Sequence, residues 1–260
     1  MKDKMTEIEV VSTIDGSPEK SLLWFPEGQT NVPLVTGLHT WSADRFNQVE
    51  TMLPFCMERK WALILPEFRG PNLDTNPRAL QACASNMAKQ DVIDAVSFVT
   101  RSKSVDKENI FLIGGSGGGH MSLMMAAYAP ELWKGVSSWV PVTDLAAWHG
   151  ENQKYARHVE ACCGGKPGAS EKTDRFYAEK SPLSYITELL KANIFVHHGR
   201  YDNSVPYTHT ARLARIMESA GASTFYFEIF DGAHELLCDE GFKWFDYLYC
   251  GKKSRKQATG

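Results

Sequence analysis

The stretch that most constrains the fold is Ile110-Phe-Leu-Ile-Gly-Gly-Ser-Gly-Gly-Gly-His120, with the run Met121-Ser-Leu-Met-Met-Ala-Ala-Tyr128 behind it. Ile110 to Ile113 is apolar and fits a short buried strand, while Gly118 to Ala129 is small, apolar and compatible with a helix, so the glycines sit on a strand-to-helix turn. Ser116 stands at its apex. Gly114-Gly115-Ser116-Gly117-Gly118 fits the Gly-x-Ser-x-Gly elbow, in which a serine is held in a strained backbone conformation and its neighbours lack side chains so that strand and helix can approach. Such a turn lifts the serine Oγ out at the C-terminal edge of a sheet. It also aims the N–H groups that open the helix at the point where negative charge would develop. A phosphate-binding reading of the same glycines fails, because no Gly-Lys-Ser/Thr ends the turn and the Gly-x-Gly-x-x-Gly spacing is missing.

A chain of 260 residues, 43% of them hydrophobic, suits a single α/β domain over residues 1–260. Net charge of −3, from 28 basic and 31 acidic residues, gives no electrostatic case for nucleic acid or an anionic membrane as partner. No apolar run approaches the length of a bilayer, and Met1-Lys-Asp-Lys-Met-Thr-Glu is too polar for a signal peptide. The chain therefore reads as soluble, either cytoplasmic or the mature form of an exported protein. Cys56, Cys83, Cys162, Cys163, Cys238 and Cys250 lack the Cys-x-x-Cys spacing of a zinc or redox site and read mostly as buried free thiols, the adjacent pair included. His197 and His198, as neighbours on a strand, would face opposite ways and cannot converge on one ion. Neither a metal nor a cofactor is expected.

Along the chain, the alternation of Glu7 to Ile14, the turn Asp15-Gly-Ser-Pro18 and the extended run Lys20 to Phe25 predict an antiparallel hairpin at one sheet edge. Val32 to Leu38 is a further strand, residues 44 to 60 read as helix, and Trp61 to Pro66 is a continuous apolar strand of the kind buried on both faces. Gln90 to Arg101 has helical spacing. Strand Gly135 to Val140 follows the elbow helix, and from Leu145 to about Tyr185 the periodicity is lost over a region too long for a simple loop, which predicts an inserted cap or lid. Alternation then resumes with strand Asn193 to His198, helix Tyr207 to Ala220, strand Thr224 to Phe230 and helix Glu235 to Leu248. Such alternation means a mostly parallel sheet with helices on both faces, its site at the C-terminal strand ends. The basic tail Lys252-Lys-Ser-Arg-Lys256 reads as a solvated terminus rather than a binding patch.

A serine nucleophile needs a base to take its proton and an acid to orient that base, and in this fold they follow in the order Ser, Asp or Glu, His. Asp202 lies in the loop after the strand ending at His198, and His234 lies in the loop after the strand ending at Phe230. Both fall at the same edge as Ser116. Of the competitors, His120 fits local packing on the elbow helix, His39 fits a prop for the loop after its strand, and Asp231 fits a turn or cap role. Asp144, after the strand ending at Val140, is the next acid in line.

Four segments, Gly-Gly-Ser116-Gly-Gly, Ser181-Pro-Leu-Ser-Tyr185, His198-Gly-Arg-Tyr-Asp202-Asn-Ser-Val-Pro206 and Gly232-Ala-His234-Glu235, together resemble the catalytic domain of the prolyl oligopeptidase family of α/β-hydrolases. The likeness runs from about residue 30 to 250. It implies an α/β-hydrolase fold with Ser116 as nucleophile, Asp202 as acid and His234 as base, and an oxyanion hole from the N–H of Gly117 and one from the loop after His39. Where the family usually writes His-Gly-x this chain has His39-Thr40-Trp41, which aligns Trp41 with the second donor. The family's peptidases carry a β-propeller ahead of this domain, for which the thirty or so preceding residues are too few, and members without one are often carbohydrate acetyl or feruloyl esterases. A carboxylic ester hydrolase is thus the expectation, with a peptidase or amidase, or a non-catalytic binding protein on the same scaffold, as alternatives. Trp41, Trp148 and Tyr201 come from loops at the catalytic edge, where aromatic faces could stack on a sugar while Glu67 and Arg69 bond its hydroxyls.

Overall fold

A computed structural model of the protein describes residues 1–257, with side chains through Gly251, so the basic run from 252 to 256 lies outside the residues whose side chains are described. The predicted hairpin is β1 (Thr6–Val11) with β2 (Pro18–Trp24), antiparallel and at one edge. Beyond it come β4 (Ala62–Pro66), antiparallel to β2, then β3 (Val32–Leu38), β5 (Val105–Gly115), β6 (Gly135–Trp139), β7 (Ile194–Gly199) and β8 (Phe225–Phe230), all mutually parallel. Among the described residues these strands make one sheet in the order β1-β2-β4-β3-β5-β6-β7-β8. This is the α/β-hydrolase architecture.

The central strands are apolar without interruption because both sheet faces are covered, and alternate residues go to different cores. Leu63, Leu65, Phe111 and Ile113 pack with α1 (Val49–Arg59) and α9 (Cys238–Gln257) through Met52, Leu53, Phe242 and Phe245. Ala62, Ile64, Ile110 and Leu112 face the other way, against α2 (Asn86–Ser102), α3 (Gly117–Tyr128) and α8 (Thr208–Ser219), where Val92, Met124 and Leu213 close the second core. The helix expected over 44–60 starts only at Val49, because the Asp44 carboxylate accepts from the Phe46 N–H at 3.0 Å and diverts the backbone into a turn. The last helix likewise starts at Cys238 rather than Glu235 and runs to Gln257.

The irregular region is helical: α4 (Leu145–Glu151), α5 (Gln153–Cys163) and α6 (Glu171–Glu179), then a 3₁₀ turn and the short α7 (Ile186–Leu189). Only α4, at 7 residues, is too short to display a repeated period; α5 and α6, at 11 and 9 residues, each carry one apolar face, and that periodicity was overlooked in the sequence. Their ends are nevertheless marked, since Asp144, Asn152 and Ser170 each accept a backbone N–H of the turn they open. Leu145, Trp148, Val159, Cys162, Cys163 and Tyr177 form a third small core with Trp41, Ala79, Cys83 and Val205. The Lys180 ammonium is buried at its side and donates to the carbonyls of Cys162 (2.7 Å), Leu80 (3.1 Å) and Ala82 (3.3 Å). All six cysteines are free thiols; Cys250 is exposed and the rest are buried. Among the described residues no helix is long and apolar enough to cross a membrane.

Candidate active site

The expected turn joins β5 to α3, and Ser116 sits in it at φ 57° and ψ −119°. A non-glycine residue in that region carries a cost of about 1–3 kcal/mol, which the surrounding packing has to sustain. The Ser116 N–H donates to the Trp139 carbonyl on β6 at 2.9 Å, and its own carbonyl accepts from the His120 N–H at 2.8 Å. At Gly117 a Cβ would stand 2.4 Å from the Trp41 backbone nitrogen. Any side chain there would push away the loop that follows β3.

That loop and the helix entrance each leave a backbone donor free. The Thr40 N–H is taken by the Asn47 side-chain oxygen at 3.1 Å, whereas the N–H groups of Trp41 and Gly117 have no acceptor among the described residues. His39 braces the loop from behind, its ring stacked on Phe68 at 4.0 Å and its Nε2 bonded to the Glu67 carbonyl at 3.0 Å.

His234 and Asp202 meet across two loops. The His234 Nδ1 donates to Asp202 Oδ2 at 2.7 Å. The Arg200 N–H reaches the Phe230 carbonyl at 3.0 Å and the Tyr201 N–H the Gly232 carbonyl at 2.9 Å, so the Asp202 loop and the His234 loop are laced along their backbones. They approach so closely that a Cβ on Gly199 would lie 1.9 Å from the Ala233 carbonyl oxygen. Burial alone would raise the Asp202 pKa, but hydrogen bonds from His198, His234 and the Val205 N–H outweigh it and hold the carboxyl well below the usual range. Ser116 and His234 line the same cleft, although among the described residues no hydrogen bond joins the Ser116 hydroxyl to the His234 ring.

The rival residues are occupied elsewhere. His120 is fully buried, donates from Nε2 to the Lys180 carbonyl at 2.6 Å, and is pushed down to about 4 by burial. Asp144 caps α4 and pairs with Arg212 at 3.1 Å. Asp231 is exposed and makes no hydrogen bond to His234 among the described residues. His197 and His198 do point to opposite sides: the first stacks on Trp139 at 3.8 Å, the second turns to Asp202.

The cleft, about 400 Å³, is lined by Thr40, Trp41, Asn47, Gln48, Thr51, Val140, Tyr155, Glu235 and Leu236 around Ser116 and His234. None of the four expected substrate contacts lines this cleft. Arg69 is 1% exposed and its guanidinium is spent on Asp91 (2.5 Å), Asp15 (2.8 Å) and Ser12 (3.0 Å), none of which lines the cleft. Glu67 turns its carboxylate to Arg45 at 2.8 Å. Trp148 is 2% exposed, donates from Nε1 to the Ser204 carbonyl and packs edge-on against Trp41 at 4.8 Å. Each was drawn inward by a partner distant in sequence. Tyr201 is exposed but its side chain does not line the cleft. The aromatic ring that does, beside Trp41, is Tyr155 on α5, which sequence reasoning missed along with Asn47, Gln48 and Leu236. The only signal for the first two was their closeness to the loop after His39.

The prolyl oligopeptidase family profile matches residues 79–240 of this chain. Over 206 residues, 75% of the chain, it is 25% identical to acylamino-acid-releasing enzyme 1 of Oryza sativa subsp. japonica, of whose length the match spans 26%. Among solved structures, Pyrococcus horikoshii acylaminoacyl peptidase superposes with a TM-score of 0.71 at 18% identity, over 88% of this chain and 37% of that one. S-formylglutathione hydrolase from Staphylococcus aureus superposes at 0.72 and 13% identity, over 94% and 98%. A serine elbow, a buried carboxylate bonded to a histidine, and a matching profile across more than half the sequence lead to one conclusion: the chain belongs to the prolyl oligopeptidase family of serine hydrolases.

Proposed function

We propose that the protein cleaves carboxylic esters of small acids through an acyl-enzyme on Ser116, with His234 as general base, Asp202 as the acid that orients it, and the N–H groups of Gly117 and Trp41 as the oxyanion hole. In this reading His234 Nε2 takes the hydroxyl proton as Ser116 Oγ attacks the carbonyl carbon, and Asp202 holds the opposite ring nitrogen in its protonated tautomer. The two N–H groups receive the developing oxyanion. The proton then passes to the departing alkoxide, and water repeats the sequence to free the acid. The observation that carries the proposal is the pair of unpartnered backbone donors at the wall beside Ser116.

A cleft of about 400 Å³ is at the small end for a ligand site, and an ester leaves with less need of protonation than an amine does, so small esters are preferred over peptides. Within that class, an acetyl or feruloyl ester of a carbohydrate remains the narrower proposal, now with Tyr155 rather than Trp148 as the aromatic face and with Asn47 and Gln48 as polar neighbours. A second reading is favoured by the acylaminoacyl peptidases among the relatives: a blocked amino terminus carries no charge that carboxylates must pair, and among the described residues Glu235 is the one carboxylate on this wall. The test is a panel of α-naphthyl acetate, an acetylated xylo-oligosaccharide and N-acetylalanyl p-nitroanilide. Higher kcat/KM on either ester is expected; a higher value on the anilide would turn the assignment to the peptidase.

A further inference from the structure

The Asp202 carboxylate has more partners than a triad needs. Its side chain is fully buried. Oδ1 accepts the N–H groups of Ser204 (2.8 Å) and Val205 (2.9 Å), and Oδ2 accepts His234 Nδ1 at 2.7 Å. A second ring also reaches Oδ2: His198, the penultimate residue of β7, brings Nε2 to 3.1 Å from it and to 2.8 Å from the Val205 carbonyl. Both neighbours of that nitrogen are acceptors, and Nδ1 is buried with no partner, so the ring proton belongs on Nε2 and is shared between the two oxygens. The other tautomer would bury an N–H with nothing to receive it.

We propose that His198 is a positioning residue for the triad, whose Nε2–H occupies the back of the Asp202 carboxylate so that the remaining lone pair of Oδ2 is directed at His234. The proposal rests on the triad assigned under Proposed function. Strand alternation makes the arrangement specific, since β7 sends His197 to the far face against Trp139 and leaves only His198 able to reach the acid. The same donor works against protonation of a carboxylate that burial would otherwise favour. Without it, one lone pair of a desolvated oxygen is orphaned, and the carboxylate can tilt off the His234 ring.

The experiment is a double-mutant cycle on the full chain, with kcat normalised to sites titrated by a fluorophosphonate. His198→Phe, which keeps the ring volume but has no donor, should lower kcat roughly tenfold to a hundredfold with little change in KM, the cost of losing one hydrogen bond to a charged group. His198→Gln, whose Nε2 can stand where the imidazole Nε2 stood, should recover most of that loss. In an Asp202→Asn background, His198→Phe should cost nothing further, because its effect passes through the carboxylate. If the phenylalanine costs the same factor in both backgrounds, or if glutamine is no better than phenylalanine, His198 is only a packing residue and the proposal is overturned. An Asp202→Asn enzyme with near wild-type kcat would instead remove Asp202 from the triad, a failure of the underlying assignment that the single-mutant arm detects by itself. Should His198→Phe not fold, His198→Asn, whose shorter amide cannot reach Asp202, takes its place.

Discussion

The C-terminal edge of the sheet and the helical cap over residues 145–189 are built in opposite ways. At the edge, geometry is set by backbone against backbone: Gly117 against Trp41, Gly199 against Ala233, and the N–H and carbonyl groups that lace the Asp202 and His234 loops. In the cap, it is set by side chains that reach far along the chain, such as Trp148 to the Ser204 carbonyl and Lys180 to three carbonyls from two other segments. The difference teaches where specificity of each kind comes from. An edge made by missing side chains tolerates no additions, whereas a cap made by long contacts tolerates no truncations.

The largest expected effect separates chemistry from architecture at the edge. Ser116→Ala should cut kcat by roughly four to six orders of magnitude while thermal unfolding stays close to that of the parent, and unchanged fluorophosphonate labelling of this variant would remove Ser116 from the role given to it. Next comes a truncation in the cap. Trp148→Ala should destabilise the protein by about 3–5 kcal/mol in chemical denaturation, yet leave kcat/KM on a small aryl acetate within about tenfold. A raised KM for an acetylated oligosaccharide without loss of stability would break the comparison, because Trp148 would then be touching substrate. At the edge again, Gly199→Ala should cost about a hundredfold in kcat, the scale expected when catalytic groups are moved by about an ångström, and normal turnover would mean that the two loops can part without harm.

The smallest effect lies at the joint between the regions, where His120 of α3 bonds the Lys180 carbonyl. Burial lowers its pKa from 6.5 to about 4. Between those values the unfolded chain binds a proton that the native one does not, so stability should fall as pH is lowered through that window and be unaffected above it. The slope approaches about 1.4 kcal/mol per pH unit for one such group, and urea titrations at several pH values should show it flattened in His120→Gln.

The same contrast explains how much could be read beforehand. That Ser116, Asp202 and His234 would gather at one sheet edge was legible because the glycine turn, the chain order and the strand ends are local features, and the strands themselves announce double burial by unbroken apolar runs. Arg69 was misread as a cleft residue because nothing near it in sequence reveals Asp91 and Asp15 as its partners. Tyr155 was passed over because a ring on the cleft wall is indistinguishable in sequence from one in the core. His198 lay within a recognised motif, but its hydrogen bond to Asp202 depends on a turn of four residues that only coordinates display.

Lys180 carries one more consequence, for traffic. Its ammonium is fastened to the end of α5 and to the segment around Leu80 and Ala82, while its backbone carbonyl is fastened to α3, the helix that begins beside Ser116. A residue tied at both ends to different parts of the molecule acts as a rivet, and it resists any swing of the helices it holds. On the proposed function, substrate would enter and both products leave through the opening between the start of α1 and Leu236, where Asn47, Gln48 and Thr51 form a threshold. With no door to open, amide protons of α5 and α6 should exchange at the same rate in the presence and absence of a bound acyl group.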